Sequence, residues 1–151
     1  MAFDKYSNEV FFKPGAEKFL QYCKRQGITL GIATSNSKEL VEAVTTALHF
    51  DDIIEVVVTA CEVAHGKPAP DVYLEAAKKL SAKPEHCLVF EDVPMGIRAG
   101  KNAGMRVCAV EDSFSAHQES EKRRLADYYI SSYGQVLDNT YEILGPQTRA
   151  G

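Results

Sequence analysis

Apolar residues in this 151-residue chain fall either in short unbroken runs or at helical spacing. The unbroken runs are typical of strands buried on both faces of a parallel sheet, and apolar residues at i, i+3, i+4 and i+7 indicate amphipathic helices. The predicted strands lie at 28–33, 53–59, 87–90, 106–110 and 128–130, and the predicted helices at 16–27, 40–48, 71–80, 94–103, 115–125 and 136–144. Their alternation predicts β–α–β units, a mostly parallel sheet and an edge position for the last strand.

Composition narrows the class of protein. Hydrophobic residues make up 45% of the chain and charged residues 25%, which is ordinary for a globular domain with one core. The net charge of -4 gives no reason to expect nucleic acid or an anionic membrane as a partner. The basic triplet at 122–124 is more typical of a solvated helix face than of a binding patch.

The absence of targeting signals and the spacing of the cysteines predict the cellular compartment of the protein. The sequence contains no apolar run long enough to span a bilayer and no signal peptide. Its four cysteines are widely spaced without a CxxC pair, which argues against a disulfide framework and against a zinc site. We therefore expect a cytoplasmic protein.

Two adjacent carboxylates, Glu91 and Asp92, directly follow the strand predicted at 87–90. Pro94 then suits the first turn of the next helix. Ligands of open α/β sheets bind at the carboxyl ends of strands, and carboxylate oxygens suit Mg²⁺. The pair alone is equally compatible with a solvated acidic turn in which Asp92 caps the helix.

Two further segments place polar groups beside predicted strands. Thr34, Ser35 and Asn36 follow the strand at 28–33, where a hydroxyl and backbone N–H groups at a helix start can bind an anion. Lys67 lies in a loop that Pro68 and a second proline stiffen, so its ammonium can be held at one point. Each feature alone has an ordinary explanation, a helix cap or a solvated lysine. Together with the carboxylates they supply the groups that bind a phosphoryl group.

These segments make the chain resemble the haloacid dehalogenase (HAD) superfamily, in particular its β-phosphoglucomutase-like phosphatases. The resemblance is carried by GIATSNS at 31–37, HGKPAPD at 65–71 and VFEDVPMGIRAGKNAGM at 89–105. It implies an α/β fold of the HAD-like, Rossmann type, a three-layer sandwich with a mostly parallel sheet. It also implies a Mg²⁺-dependent phosphatase or phosphomutase acting on a small phosphorylated metabolite, such as a sugar phosphate.

The same resemblance implies roles for the candidate residues. Thr34 would hydrogen-bond the phosphoryl oxygens with help from the backbone of Ser35 and Asn36. Lys67 would neutralise charge shared between the phosphate and the nucleophile. The residues implied for catalysis are Thr34 and Lys67, those for phosphate binding Thr34, Ser35, Asn36 and Lys67, and those for Mg²⁺ are Asp92 and, directly or through water, Glu91.

The chain departs from this family at its start. Members begin with a buried strand ending in Asp-x-Asp, which carries the nucleophile and the general acid–base, and usually continue into a helical cap. Here Asp4 has Tyr6 where the second aspartate belongs. Residues 1–13 more closely resemble the end of a cap returning to the core. We therefore expect one core domain over 1–151 that lacks the central strand between the strands at 28–33 and 87–90.

An empty central position would leave backbone groups unpaired, so three situations are expected. The chain is a fragment of a longer phosphatase, or its slot is filled by its own N-terminal segment or by a partner chain, or the sheet is rearranged by swapping between subunits. The resulting hypotheses are a phosphatase core that is inactive alone and a non-catalytic remnant that at most binds phosphate, metal or another chain. A receiver-type phospho-acceptor domain is disfavoured because its acidic pair and acceptor aspartate are not evident.

Overall fold

A computed structural model describes residues 14–35 and 37–144, without the side chain of Phe114. Its helices are α1 (Ala16–Arg25), α2 (Lys38–Ala47), α3 (Asp71–Lys79), α4 (Pro94–Asn102), α5 (Glu119–Leu125) and α6 (Gly134–Asp138). Its strands are β1 (Leu30–Thr34), β2 (Ile54–Thr59), β3 (Leu88–Glu91), β4 (Arg106–Val110), β5 (Tyr128–Ile130) and β6 (Glu142–Ile143). Short 3₁₀ helices cover Ala60–Glu62, Pro84–His86 and Ser113–Gln118. The predicted α/β class is confirmed.

The strands described form two sheets. Strands β1 and β2 pair in parallel, and β3, β4 and β5 form a second parallel set to which β6 adds antiparallel. Within residues 14–35 and 37–144, no strand is hydrogen-bonded to both β1 and β3. The division between the two sheets therefore lies at the central position, between β1 and β3. The predicted cap-to-core connection at 1–13, which includes Asp4, lies outside the described residues.

Two apolar clusters lie on opposite faces of the sheets. Each cluster packs helices against the strands, so the fold has three layers. One cluster joins β1 and β3 to α1 and α2, and its large members include Phe19, Leu20, Ile32, Val41, Phe90 and Tyr133. The other joins the same strands to α3 and α4, and its members include Ala33, Val58, Val72, Val89 and Ile97. Neighbouring strand residues such as Ile32 and Ala33 point to opposite faces, as the pleat requires. The helices thus connect both sheets from either side.

Three aromatic rings pack together within the cluster that joins the strands to α1 and α2. The ring centroids of Phe19 and Phe90 lie 5.2 Å apart, and that of Tyr133 lies 5.3 Å from each. Such offset or edge contacts contribute beyond the area that they bury. The cluster joins α1 and β3 to the residue before α6.

Helix termini follow the sequence signals around the strand ends. Ser37 caps α2 by accepting a hydrogen bond from the N–H of Leu40 at 3.2 Å. Pro94 is the first residue of α4, and Gly104, with φ of 81°, follows its end. These residues mark where α2 begins after β1 and where α4 begins and ends after β3.

The prediction for the C-terminal part was wrong in two respects. Strand β5 is not an edge strand, because β6 pairs with it. The helix predicted over 136–144 is instead the short α6, which ends at Asn139 in the left-handed region with φ of 60°. Asparagine adopts this conformation more readily than most residues, so the chain turns there and continues into β6.

Two burial predictions also need correction. Leu88 is 39% exposed, so the strand predicted at 87–90 is buried only from Val89 onward. Lys122 is not on a solvated helix face, since it is 1% exposed. Arg123 forms ion pairs with Glu119 and with a glutamate of β6.

None of the described helices has the length and apolarity needed to cross a membrane.

Candidate functional site

The ammonium group of Lys67 lies between the carboxyl ends of β1 and β3. It donates to Glu91 Oε2 at 2.7 Å and to the carbonyl oxygen of Ala33 at 3.3 Å. The lysine side chain is 10% exposed and that of Glu91 is fully buried. Two hydrogen bonds from one ammonium group therefore join the loop of Lys67 to the ends of both β1 and β3.

Glu91 is held by two donors and by a glycine. Its Oε2 also accepts a hydrogen bond from the hydroxyl of Tyr73 at 2.7 Å. A Cβ atom placed at Gly96 would lie 1.8 Å from the same oxygen. Gly96 lies in the first turn of α4, where the helix dipole favours a negative charge. The carboxylate thus occupies space that only a glycine at 96 leaves available.

Three of the four predicted phosphate-binding residues line one pocket. Thr34 is the last residue of β1, is buried, and pairs with Thr59 at the end of β2. Ser35 follows it and is exposed. Thr34, Ser35 and Lys67 line a pocket of about 660 Å³ at the carboxyl ends of the strands. Asn36 was predicted to contribute its backbone but lies outside the described residues.

Asp92 follows β3 directly and is 4% exposed. Its carbonyl oxygen accepts a hydrogen bond from Ser115 Oγ at 2.7 Å. No group of three or more histidine, cysteine or acidic side chains forms a metal cluster within the described part of the chain. Two neighbouring carboxylates nevertheless suit Mg²⁺, which is commonly bound by one or two protein carboxylates together with water and substrate phosphates.

Tyr133 lies close to the acidic side of the site. Burial raises its pKa well above the usual value, and the nearby Cys108, Asp92 and Glu91 raise it further. Burial disfavours the phenolate because the charged form loses its hydration. The phenol is therefore protonated at neutral pH and is not a candidate base.

Several residues around the site were not predicted as part of it. Tyr73 lies within the helix predicted at 71–80, and a buried tyrosine usually directs its hydroxyl to a polar partner. The signal for Gly96 is a glycine inside a predicted helix, which often marks a close approach. Ser115 and Lys122 lie in a polar stretch without a recognisable motif.

The family of the chain follows from comparisons with known proteins. A family model described as haloacid dehalogenase-like hydrolase matches residues 3–104. The probable pseudouridine-5'-phosphatase of Drosophila melanogaster is 35% identical over 133 residues, which cover 80% of this chain and 57% of that protein. The chain spans about half the length of that protein and of two CbbY proteins that it also matches.

Solved structures give the same result. CbbY from Rhodobacter sphaeroides in complex with xylulose-(1,5)bisphosphate superposes with a TM-score of 0.74 at 32% identity, covering 82% of this chain and 55% of that one. A putative β-phosphoglucomutase from Thermotoga maritima superposes with a TM-score of 0.72 at 28% identity, covering 83% of this chain and 58% of that one. The predicted resemblance is confirmed, and the chain belongs to the haloacid dehalogenase-like hydrolase family, in its β-phosphoglucomutase-like subgroup.

Proposed function

We propose that this chain carries the phosphate-binding and metal-binding part of a Mg²⁺-dependent phosphatase or phosphomutase. The observation that supports the proposal most strongly is the position of Lys67, whose ammonium contacts the end of β1 through Ala33 and the end of β3 through Glu91. A cation fixed in this way can neutralise charge on a phosphoryl group bound in the adjacent pocket without rearranging. Phosphoryl transfer depends mainly on such positioning and electrostatic stabilisation.

Thr34 and Ser35 supply the neutral donors of the proposed site. Both line the same pocket as Lys67, and Ser35 precedes the N-terminal end of α2. Hydroxyl and backbone N–H groups at the start of a helix favour anions because the helix dipole is positive there. In this proposal they bind the phosphoryl oxygens that the lysine does not reach.

The metal is assigned to the acidic end of β3. Asp92 is the principal ligand in this proposal, and Glu91 contributes directly or through water while it also holds Lys67. When bound there, Mg²⁺ would withdraw charge from the phosphoryl oxygens. The role of the protein is to hold both carboxylates at the strand end before the cation arrives.

The proposed substrate is a small phosphorylated metabolite of the sugar phosphate type. The relative from Drosophila melanogaster is named as a phosphatase of a phosphorylated nucleoside, and the structure of CbbY contains a sugar bisphosphate. Both proteins are more than 30% identical to this chain over most of its length. A pocket of about 660 Å³ is large enough for such a molecule.

Binding of inorganic phosphate in the presence of MgCl₂, measured by isothermal titration calorimetry, tests this proposal. Replacing Thr34 by valine keeps its volume but removes the hydroxyl, and we expect about tenfold weaker binding because a hydrogen bond to a charged group contributes roughly 1.5–3 kcal/mol. The matched control is Thr45→Val, since Thr45 is also buried but donates within α2 to Glu42. Equal affinities for the wild type and Thr34→Val, or an equal loss in the control, would contradict the proposal.

We further propose that the isolated chain binds phosphate without hydrolysing its esters. Of the two carboxylates at the end of β3, Glu91 is bound by Lys67 and Tyr73, and Asp92 is assigned to the metal. Assays with p-nitrophenyl phosphate and MgCl₂ are therefore expected to show no turnover above that of a Lys67→Ala variant. Turnover that disappears in Asp4→Asn would instead identify a nucleophile in residues 1–13.

A non-catalytic protein is the second candidate function. The observation that favours it is the separation of the described strands into two sheets, since the family nucleophile belongs to a strand between them. It predicts phosphate binding without turnover even when the chain is supplied with a synthetic peptide that carries the Asp-x-Asp strand of the family. Turnover restored by that peptide would support the phosphatase.

A further inference from the structure

A charged side chain that the proposed function does not use is buried beside the site. Lys122 of α5 is 1% exposed. Its ammonium donates to the carbonyl oxygen of Val110 at 2.7 Å and to Ser115 Oγ at 3.1 Å. Val110 is the last residue of β4, and Ser115 belongs to the 3₁₀ helix that follows. The ammonium therefore fastens the carboxyl end of a central strand to the loop beyond it.

The hydrogen bonds continue from Ser115 to the proposed metal ligand. Ser115 is 2% exposed, and its hydroxyl donates to the carbonyl oxygen of Asp92 at 2.7 Å. This carbonyl belongs to the peptide that joins Asp92 to Val93, the residue before α4. These two side chains form what we call the Ser115–Lys122 network. The network thus links α5 to the main chain of Asp92.

Stability alone does not account for a buried ammonium. Transfer of a charged amine from water to a protein interior is costly, and replacement of buried ionic groups by apolar side chains of similar size is often neutral or stabilising. What the ammonium and the hydroxyl provide instead is direction, because each hydrogen bond fixes the orientation of its partner. The oriented partner at the end of this network is the main chain of Asp92.

We propose that Ser115 and Lys122 are positioning residues that hold the Asp92 peptide, and with it the carboxylate, in the orientation that binds the divalent cation. This inference rests on the proposed function for the part that concerns the cation. The other part, that the Ser115–Lys122 network holds residues 91–93 in place, does not depend on the proposed function. Supporting residues of this kind are required because ligand groups must be held within a fraction of an ångström.

Nuclear magnetic resonance of the labelled chain tests both parts. Amide hydrogen exchange of residues 91–93 reports whether the segment is held, and broadening of the same signals by Mn²⁺ reports cation binding at Asp92. Ser115→Ala and Lys122→Met are each expected to accelerate exchange about fivefold or more, as loss of a buried hydrogen bond implies. We expect Ser115→Ala, which changes no charge, to raise the Mn²⁺ concentration for half-broadening by a similar factor.

Lys101→Met is the matched control for Lys122→Met. Lys101 donates to Asp127, the residue before β5, so its loss removes an ammonium that is bonded to a carboxylate other than that of Asp92. Unchanged exchange at 91–93 in Ser115→Ala, or the same acceleration in Lys101→Met, would overturn the inference. Absence of Mn²⁺ broadening in the wild type would contradict the proposed function, and exchange alone would then decide whether the network holds the segment.

Discussion

Replacing Lys67 by methionine is expected to eliminate measurable phosphate binding and to lower the free energy of unfolding by about 3–5 kcal/mol. Methionine preserves much of the side-chain volume but removes the ammonium. Glu91, which is fully buried, would then keep only the Tyr73 hydroxyl of the two donors that now contact its Oε2. Titration calorimetry with inorganic phosphate and urea unfolding measure the two effects separately.

The two effects of Lys67→Met have different causes, and a second substitution separates them. Adding Glu91→Gln removes the buried charge, so the double variant is expected to recover much of the stability but none of the phosphate binding. Lys79→Met is the matched control, because Lys79 pairs with Glu62 in a partly exposed ion pair. Pairs of this kind contribute roughly 0–1 kcal/mol. Phosphate affinity that survives Lys67→Met would show that the lysine does not bind the anion.

Substituting alanine for Gly96 is expected to be the most damaging single-methyl change near the site. The new Cβ would lie 1.8 Å from Glu91 Oε2, a distance at which one of the two groups must move. A side-chain end can usually move at little cost, but this oxygen is buried and bonded to Lys67 and Tyr73. We expect a loss of about 3 kcal/mol or more, comparable with the breaking of a buried ion pair, together with phosphate binding at least tenfold weaker.

Gly66→Ala is the control for this substitution. Gly66 also lines the pocket, but the nearest atom to an added Cβ, the Cβ of Ala60, lies 4.0 Å away. The melting temperature and phosphate affinity of the Gly66→Ala protein are therefore expected to remain close to those of the wild type. A Gly96→Ala protein as stable as the control would show that Glu91 is not confined in the way described.

The pattern of apolar residues predicted most of the fold because buried strands leave a strong local signal. The strands at 106–110 and 128–130 were predicted with the bounds that the structure has, since turn residues flank each apolar run. Strand β6 left no such signal, because Glu142–Ile143 is too short to show a period and pairs only with residues distant in sequence. The left-handed Asn139 that ends α6 likewise depends on tertiary context.

The candidate site was predictable only in part, for a physical reason. Residues at strand ends follow from the parallel topology, so the sequence predicts that Thr34, Lys67 and Asp92 lie near one another, and the structure places Thr34 and Lys67 in one pocket. The contacts of Glu91 with Tyr73 and Lys67 depend on how α3 and α4 pack over the strands. No local pattern marks Lys122 as buried, because its carbonyl and hydroxyl partners become available only when the chain folds.

A crystal structure of the chain soaked with MgCl₂ and sodium tungstate tests the central claim most directly, because tungsten scatters anomalously and tungstate resembles phosphate. We expect one tungstate in the pocket, within hydrogen-bonding distance of Thr34 and of the Lys67 ammonium, with electron density for a cation beside Asp92. Tungstate bound elsewhere on the surface while this pocket contains only water would contradict the claim that these three segments bind a single phosphoryl group.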